Sequence, residues 1–395
     1  MGADSFNFHL LYYVALVLAT YLVSAAVAWF VGKLPALAYL KGRAGRFTAL
    51  DGVRGYLALG VFIHHFVFSW YWLNKNDGGA TRILEPLFFN IGRVSVLIFF
   101  MITGFLFIRR ILAGYYHGNW KSLYVSRFFR IYPLFIFVVI CISLVVAVKT
   151  GFTLEVSIVK WALQHVKWLL LLGGQINNFA DTWLVIFGVY WTLKYEWAFY
   201  LSIPLLALLF RLNRYALAIL AILTIPLFLY PLQGMYFSSE YLIYFAVGGV
   251  AAYLVEKQPA ITQYLESWMV SVFALAAVLL VLNLGDESTL TYTILIALFF
   301  VPIANGNDLF RLLARKCSIV LGEISYSIYL MHGLLLYLLL VGWPVLPVKD
   351  VPFNEHLIWM PVFSGLVVLV SSLTFLFIEK PLIHYGKRLI RSNEK

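Results

Sequence analysis

Apolar residues in this chain of 395 residues are gathered into long runs, which short polar loops separate. A helix needs roughly 20 apolar residues to cross the hydrocarbon core of a bilayer, and it satisfies its own backbone hydrogen bonds without water. The runs therefore predict an all-α polytopic membrane protein with about eleven transmembrane helices. The predicted spans lie near residues 7–31, 55–73, 91–112, 131–149, 184–210, 212–231, 239–255, 267–284, 289–304, 321–342 and 357–379.

One further apolar run is predicted not to cross the membrane. Residues 157–173 carry Lys160, His165 and Lys167, and the run is short enough to be an interfacial or re-entrant helix. The remaining runs follow one another so closely that they leave no room for a soluble domain. We therefore expect one membrane domain.

Charge predicts the orientation of the helices. The net charge is +11, although 63% of the residues are hydrophobic. Most of the 29 lysines and arginines fall in alternate loops, which the positive-inside rule places in the cytosol. The N-terminus is then outside and the C-terminus cytosolic. Because the basic residues mark topology, we expect no nucleic-acid partner.

The two cysteines do not indicate a redox or metal site. Cys141 and Cys317 lie in or beside apolar runs, and neither has a second cysteine nearby. That pattern argues against a disulfide framework or a zinc site. We predict no metal.

The segment from Asp51 to His65 carries the first candidate chemistry. Arg54 and His65 are eleven residues apart, so on a helix they share one face and lie about 16 Å apart along the axis. Arg54 is then at the cytosolic mouth and His65 near mid-membrane. A histidine inside a span usually faces a cavity or a partner, and it suits the role of general base for a hydroxyl. A packing role for His64 and His65 is the alternative.

Two arginines precede the fourth span. Arg127 and Arg130 are three residues apart and are neighbours on a helical turn. Their planar guanidinium groups suit phosphates, so a nucleotide diphosphate is one candidate ligand. Anchoring to lipid headgroups is the other reading.

Further polar side chains lie inside predicted spans. Glu196 is a carboxyl in an apolar helix and is therefore a functional candidate. It would orient a histidine, bind an acceptor hydroxyl or pair with a basic residue. Serine, tyrosine and histidine near residues 325–332 would line a cavity or join helices by hydrogen bonds. The candidate cavity-lining residues are His64, Trp191, Ser325, Tyr326 and His332.

Taken in order, these segments resemble the acyltransferase-3 family of membrane acyltransferases, and the resemblance spans residues 48–384. The family modifies lipopolysaccharide, peptidoglycan, exopolysaccharides and small molecules. Its Arg-x10-His motif, whose histidine is regarded as essential, corresponds to Arg54 and His65. Its Arg-x-x-Arg motif, implicated in acyl-CoA binding, corresponds to Arg127 and Arg130. In its Trp-Ser-Leu-x-x-Glu element, threonine replaces serine at position 192 of this chain.

The resemblance implies a membrane O-acyltransferase. An acyl group, expected to be acetyl, would move from cytosolic acyl-CoA to a hydroxyl of a cell-envelope carbohydrate or glycolipid. His65 would remove the hydroxyl proton and Glu196 would orient or stabilise that base. Acyl-CoA is then a co-substrate, and no permanently bound cofactor is expected. The bacterial inner (plasma) membrane is the expected location, with membrane lipid, the acceptor and a separate extracytoplasmic enzyme as candidate partners.

The same match divides the chain. Residues 1–45 are predicted as an additional N-terminal transmembrane helix and cytosolic linker, residues 46–385 as the acyltransferase-3 membrane domain, and residues 386–395 as a basic cytosolic tail. Two other functions are alternatives. One is a transporter or flippase for a lipid-linked or secreted saccharide, which would use the same polar cavity without chemistry. The other is an unrelated transmembrane acetyltransferase that accepts amino sugars.

Overall fold

The structure is a computed structural model, and it describes residues 3–40, 47–74, 85–114, 120–213, 215–234, 237–285, 289–345 and 348–392. These residues are almost entirely helical. The α-helices are α1 (Ala3–Val31), α2 (Thr48–Asn74), α3 (Pro86–Leu112), α4 (Trp120–Lys149), α5 (Ile158–Leu169), α6 (Trp191–Leu212), α7 (Ala216–Leu229), α8 (Leu242–Lys257), α9 (Pro259–Leu265), α10 (Trp268–Asn283), α11 (Thr289–Ala304), α12 (Lys316–Glu323), α13 (Ser325–Leu336), α14 (Phe353–Ile358), α15 (Met360–Thr374) and α16 (Lys380–Ser392).

Shorter elements join or extend these helices. The 3₁₀ segments are Pro35–Leu40, Ala180–Ile186 and Ser239–Tyr241, and π-helical turns extend α13 over Tyr337–Gly342 and α15 over Phe375–Glu379. Two strands, β1 (Gln233–Gly234) and β2 (Phe237–Ser238), form a small antiparallel hairpin in which Gln233 is opposite Ser238.

The prediction of an all-α polytopic membrane protein is confirmed. Seven helices in the described ranges are long and apolar enough to cross a membrane, and three shorter ones are also apolar. Each of the eleven predicted spans overlaps a helix. Helix α5 has 12 residues, so at 1.5 Å per residue it is about 18 Å long and too short to cross. The orientation with the N-terminus outside stays a prediction.

One predicted span begins later than expected. The apolar run 184–210 was expected to be helical throughout, but α6 begins at Trp191. Phe187 and Gly188 both adopt positive φ angles, 50° and 68°. A right-handed helix cannot continue through such residues. The preceding 3₁₀ turn is therefore separate from α6.

The outer surface of the bundle is apolar, as a lipid-facing surface must be. On α4, Ile136, Ile140 and Leu144 are exposed at intervals of four residues, whereas Val138 and Ile142 between them are buried. Four-residue spacing keeps the exposed side chains on one helix face. An apolar stripe of this kind suits acyl chains and would be unfavourable in water.

Helices α2 and α12 touch through their backbones. A Cβ added to Gly322 would lie 1.7 Å from the carbonyl oxygen of Asp51, and one added to Gly55 would lie 2.3 Å from the Cβ of Leu321. Small residues permit such close approach between membrane helices. Tyr56 and Ser318 add a hydrogen bond of 2.9 Å between the same two helices.

The two ends of the chain pack on this bundle. The N-terminal helix α1 lies along α15, where the Ser364 hydroxyl donates to the carbonyl oxygen of Thr20 at 3.2 Å. Residues 386–392 of the segment predicted as a basic tail belong to the amphipathic helix α16. Its Gly386 packs against the ring of Phe129 on α4. Residues 393–395 and linker residues 41–46 lie outside the described residues.

We predict that Gly322→Ala lowers the melting temperature of the protein in detergent. The added methyl group would overlap the Asp51 carbonyl, and overpacking of this kind typically costs about 1–3 kcal/mol. Gly285→Ala is the matched control, because a Cβ at Gly285 meets nothing within 4 Å. Equal melting temperatures for the two variants would contradict the proposed close contact.

Candidate functional site

A cavity of about 450 Å³ lies inside the bundle, between α2, α3, α4, α6, α13 and α16. Its walls combine apolar rings with many basic groups and one carboxyl group. The charged residues that line it are Arg54, Arg110, Arg127, Arg130, Lys387 and Glu196. Five basic residues against one acidic residue make the cavity suitable for an anion.

A second cavity of about 460 Å³ adjoins the first at the end where α2 begins and α16 lies. We call it the mouth. Arg54, Arg130 and Lys387 line both cavities, so they lie where the two spaces meet. The mouth also contains Lys380 and His384 of α16 and the carboxyl groups of Asp51 and Glu323. An anion that entered through the mouth would meet these residues before it reached the inner cavity.

Arg127 and Arg130 lie one turn apart on α4, as their spacing predicted. The Arg127 guanidinium carbon lies 5.3 Å from the ring centre of Phe107 and 5.8 Å from that of Tyr200. Its Nε atom is buried and has no hydrogen-bond partner among the described residues. A buried hydrogen-bond donor without a partner costs free energy. This nitrogen is therefore suited to donate a hydrogen bond to an oxygen atom of a bound ligand.

Three of the cavity arginines form no direct salt bridge with another described residue. Within the described ranges, neither Arg54, Arg127 nor Arg130 forms a salt bridge with a carboxylate. Arg109, at the end of α3, shows the contrast because it pairs with Glu256 at 2.8 Å. Unpaired guanidinium groups inside a membrane protein are costly unless they serve a ligand or a water-filled space.

Glu196 lines the inner cavity from α6 and accepts a hydrogen bond from the Tyr200 hydroxyl. Tyr200 is four residues further on, so the two side chains are on the same helix face. The structure records no hydrogen bond between Glu196 and His65 in the part of the chain that it describes. The predicted catalytic role of Glu196 stays a prediction, and its described partner is a tyrosine.

Tyr329 and Phe99 lie at the inner end of the cavity. The ring centres of these two residues are 6.1 Å apart. The Tyr329 hydroxyl lies 2.7 Å from Thr192 Oγ1 and donates to the Val189 carbonyl oxygen at 2.9 Å. The Tyr329 ring in turn lies 6.2 Å from that of His332. We call these two cavity-lining residues, Phe99 and Tyr329, the aromatic layer, and Tyr329 is the one that contacts His332.

His65 and His332 form a pair behind this layer. His65 Nδ1 lies 2.9 Å from His332 Nε2. The two rings are almost parallel, with an interplanar angle of 16° and centres 5.1 Å apart. His332 is fully buried, whereas His65 is partly exposed. His65 does not line the inner cavity.

The structure brings six of the predicted residues together around the inner cavity. These are Arg54, Arg127, Arg130, Glu196, Ser325 and Tyr326. The buried Ser325 hydroxyl has no hydrogen-bond partner among the described residues, whereas the Tyr326 hydroxyl donates to the Ile131 carbonyl oxygen at 2.7 Å.

Three candidate lining residues lie outside the inner cavity. His64 turns its Nδ1 to the Phe88 carbonyl oxygen at 3.1 Å. Trp191 packs on Tyr241, with ring centres 5.2 Å apart. His332 is held by His65. Each therefore has a packing or hydrogen-bonding partner that takes it away from the cavity.

Some cavity residues were not predicted. Tyr200 and Lys387 also line the inner cavity. The four-residue spacing between Glu196 and Tyr200 was a readable signal for the first. Lys387 lies on α16, far along the chain, and no local pattern connects it with Arg127 or Glu196.

On the far side of His65 lies a group of aromatic residues that we call the outer aromatic group: Phe68, Trp72, Trp183 and Phe187. The Phe187 ring centre is 5.5 Å from that of His65. Trp72 and Trp183 meet edge to face, with ring centres 5.5 Å apart. Trp72 is eighteen residues beyond Arg54 on α2, so it lies about 27 Å further along the helix axis. This group is therefore at the end of the bundle opposite the mouth.

The chain is similar to known acyltransferases. A family model described as an acyltransferase domain matches residues 47–378. The "Putative acetyltransferase ORF330" of Acidianus two-tailed virus is 26% identical over 298 residues, which are 72% of this chain and 81% of the viral protein. Nodulation protein 10 of Rhizobium leguminosarum bv. viciae is 27% identical over 186 residues, 42% of this chain and 46% of that protein. No solved structure matches significantly.

The family match begins at the residue before α2 and ends in the π-helical turn after α15. It therefore contains every helix that contributes to the inner cavity and the histidine pair except α16, and it leaves out α1. A match of this extent covers most of the chain. The chain is a member of the acyltransferase-3 family of integral membrane acyltransferases.

Proposed function

We propose that the protein moves an acyl group from acyl-CoA to a hydroxyl of a carbohydrate or glycolipid acceptor. The observation that carries the proposal is the inner cavity, where Arg54, Arg127 and Arg130 form no salt bridge with a described carboxylate. The cavity adjoins the mouth, and Tyr329 in its wall contacts His332, the partner of His65. Acetyl is the proposed acyl group. The proposed location is the inner membrane of a bacterium, with a cell-envelope acceptor.

The basic residues are the proposed donor site. Acyl-CoA carries several phosphates on a long, flexible arm, and guanidinium groups bind phosphate through charge-assisted hydrogen bonds. Arg54 and Arg130, between mouth and inner cavity, would hold these phosphates together with Arg127. The arm would then extend toward Phe99 and Tyr329. Acyl-CoA is a co-substrate here, and no resident cofactor is proposed.

In the proposed reaction His65 is the general base. It takes the proton of the acceptor hydroxyl while the hydroxyl oxygen attacks the thioester carbonyl carbon. The carbon–sulfur bond then breaks, the CoA thiolate leaves, and the proton passes from His65 to that sulfur. The ester product and free CoA balance the reaction. The thioester reaches His65 only when the layer formed by Phe99 and Tyr329 opens.

The outer aromatic group is the proposed approach for the acceptor. It borders His65 on the side away from the donor cavity. Trp72 and Trp183 are only partly buried, and tryptophan offers a flat apolar face together with a polar N–H group. Sugar rings have apolar faces and polar edges that match this chemistry. Membrane lipid and a separate extracytoplasmic enzyme remain proposed partners.

We predict that Arg127→Ala and Arg130→Ala raise the KM for acyl-CoA by roughly 10-fold to 100-fold, because each loses a charge-assisted interaction of about 1.5–3 kcal/mol. Lysine at either position should restore part of the affinity. Arg315→Ala is the control, since Arg315 is exposed and lines neither cavity. An unchanged donor KM in both alanine variants would favour headgroup anchoring instead.

We predict that His65→Ala lowers acyl transfer by a factor of about 10² to 10⁴, the usual contribution of a general base. Binding of acyl-CoA should be unchanged, because His65 lies outside the donor cavity. His64→Ala should be milder, since His64 contacts a backbone carbonyl group. Thioester cleavage by purified protein is the readout, and a transporter would show none. The assignment fails if His64→Ala is the more damaging change.

We predict that Trp183→Ala raises the KM for the acceptor and leaves the KM for acyl-CoA unchanged. The reason is that Trp183 belongs to the outer aromatic group and does not line the inner cavity. Trp268→Ala, which removes an exposed tryptophan from the surface of α10, should change neither value. A rise in the donor KM alone would place the acceptor path elsewhere.

A further inference from the structure

We propose that His332 is a positioning residue that fixes the tautomer and orientation of His65, so that His65 Nε2 is the atom that accepts the proton. The inference rests on the proposed role of His65 as general base. His332 lies 267 residues from His65 in the chain. His332 itself would neither touch the substrates nor change its protonation state during the reaction.

The hydrogen bonds of His332 determine where its own proton lies. Its Nδ1 is 2.9 Å from the carbonyl oxygen of Ile328, one turn earlier on α13. A carbonyl oxygen can only accept, so His332 Nδ1 carries the hydrogen. In the neutral imidazole the other nitrogen then has no hydrogen and accepts. His332 Nε2 is therefore an acceptor that faces His65.

The tautomer of His65 follows from this. Its Nδ1 is 2.9 Å from His332 Nε2, and that contact is a hydrogen bond only if His65 Nδ1 donates. Neutral His65 then has its free lone pair on Nε2. The chain of bonds runs from His65 Nδ1 to His332 Nε2, and from His332 Nδ1 to the Ile328 carbonyl oxygen.

The packing around His332 holds the acceptor in place. The Phe62 ring meets the His332 ring at 90°, with centres 6.5 Å apart, and Tyr329 packs on it at 6.2 Å. His332 has no exposed surface, so its ring cannot turn to make hydrogen bonds with water. The His65 ring is held in turn by its near-parallel packing on His332 and by Phe187.

The proton transfer then needs only one mobile proton. The acceptor hydroxyl gives its proton to His65 Nε2 as the new carbon–oxygen bond forms. The resulting imidazolium keeps its Nδ1–H bond to His332, which orients it until Nε2 releases the proton to the CoA sulfur. Without His332, the Nδ1–H group would face an apolar wall, and the tautomer with the hydrogen on Nε2 would compete. That tautomer cannot act as the base from Nε2.

The test compares His332→Leu, His332→Gln and the control His356→Leu. Leucine removes the acceptor, whereas the glutamine carbonyl oxygen can accept from His65 Nδ1. His356 is also a buried histidine that contacts a carbonyl group, that of Phe66 at 3.2 Å. We expect His332→Leu to lower kcat at least 10-fold with unchanged KM and binding for acyl-CoA. His332→Gln should recover part of kcat, and His356→Leu should match the wild type.

A spectroscopic readout separates positioning from general packing. The chain has 8 histidines, so ¹⁵N-histidine labelling gives a spectrum in which His65 is assigned from the His65→Ala variant. We expect neutral His65 to carry its hydrogen on Nδ1 in the wild type and in His332→Gln. In His332→Leu the signal of the Nε2–H tautomer should appear.

The outcomes of the two proposals are distinguishable. If His65→Ala stays active, the assignment of the base fails and the role of His332 falls with it. If His65→Ala is inactive but His332→Leu keeps wild-type kcat, only the positioning role is overturned. The same holds if the Nδ1–H tautomer persists in His332→Leu, or if His356→Leu loses as much activity as His332→Leu.

Discussion

Two glycines let α2 and α12 meet backbone to backbone near the mouth, and the position of the histidine pair depends on that contact. Gly55 lies against Gly322, and His65 lies against His332, ten residues further along each chain segment. Helix α2 is continuous over this stretch, and α12 is followed through the single residue Ile324 by α13. Each helix rises 1.5 Å per residue. They therefore advance together by about 15 Å between the two contacts. A larger residue at the glycine contact would shift or separate the helices, and the Nδ1–Nε2 distance would change with them.

The position of α2 inside the bundle explains why its polar residues are tolerated in the membrane. Helix α2 is buried among other helices for most of its length, so its polar side chains need a cavity or a partner. Arg54 faces a cavity, because it lines both the mouth and the inner cavity. His65 has a partner, His332. The lipid-facing surface of α4 shows the opposite pattern, with Ile140 and Leu144 exposed.

Local periodicity predicted the features that belong to a single helix. The apolar runs predicted the spans, and the three-residue spacing predicted that Arg127 and Arg130 are neighbours on one turn of α4. The structure adds that both line one cavity together with Arg54. Spacing could not predict which side chain faces His65, because that partner lies on a helix 267 residues away. Sequence analysis suggested Glu196 as the orienting group. In the structure Glu196 accepts a hydrogen bond from Tyr200 on its own helix, and His65 contacts His332. The role of Glu196 stays a prediction.

The aromatic layer between the inner cavity and the histidine pair fits a reaction whose substrates arrive from opposite sides. An open channel through these side chains would let water and ions cross, and it would expose the thioester to hydrolysis. Tyr329 closes the layer through hydrogen bonds to Thr192 and to the Val189 carbonyl oxygen. Each such bond contributes a net of about 0.5–1.5 kcal/mol. Breaking both bonds therefore costs about as much as one charge-assisted contact between an arginine and a phosphate contributes. If the proposed donor binds at Arg54, Arg127 and Arg130, its phosphate contacts would be of the size needed to offset this cost.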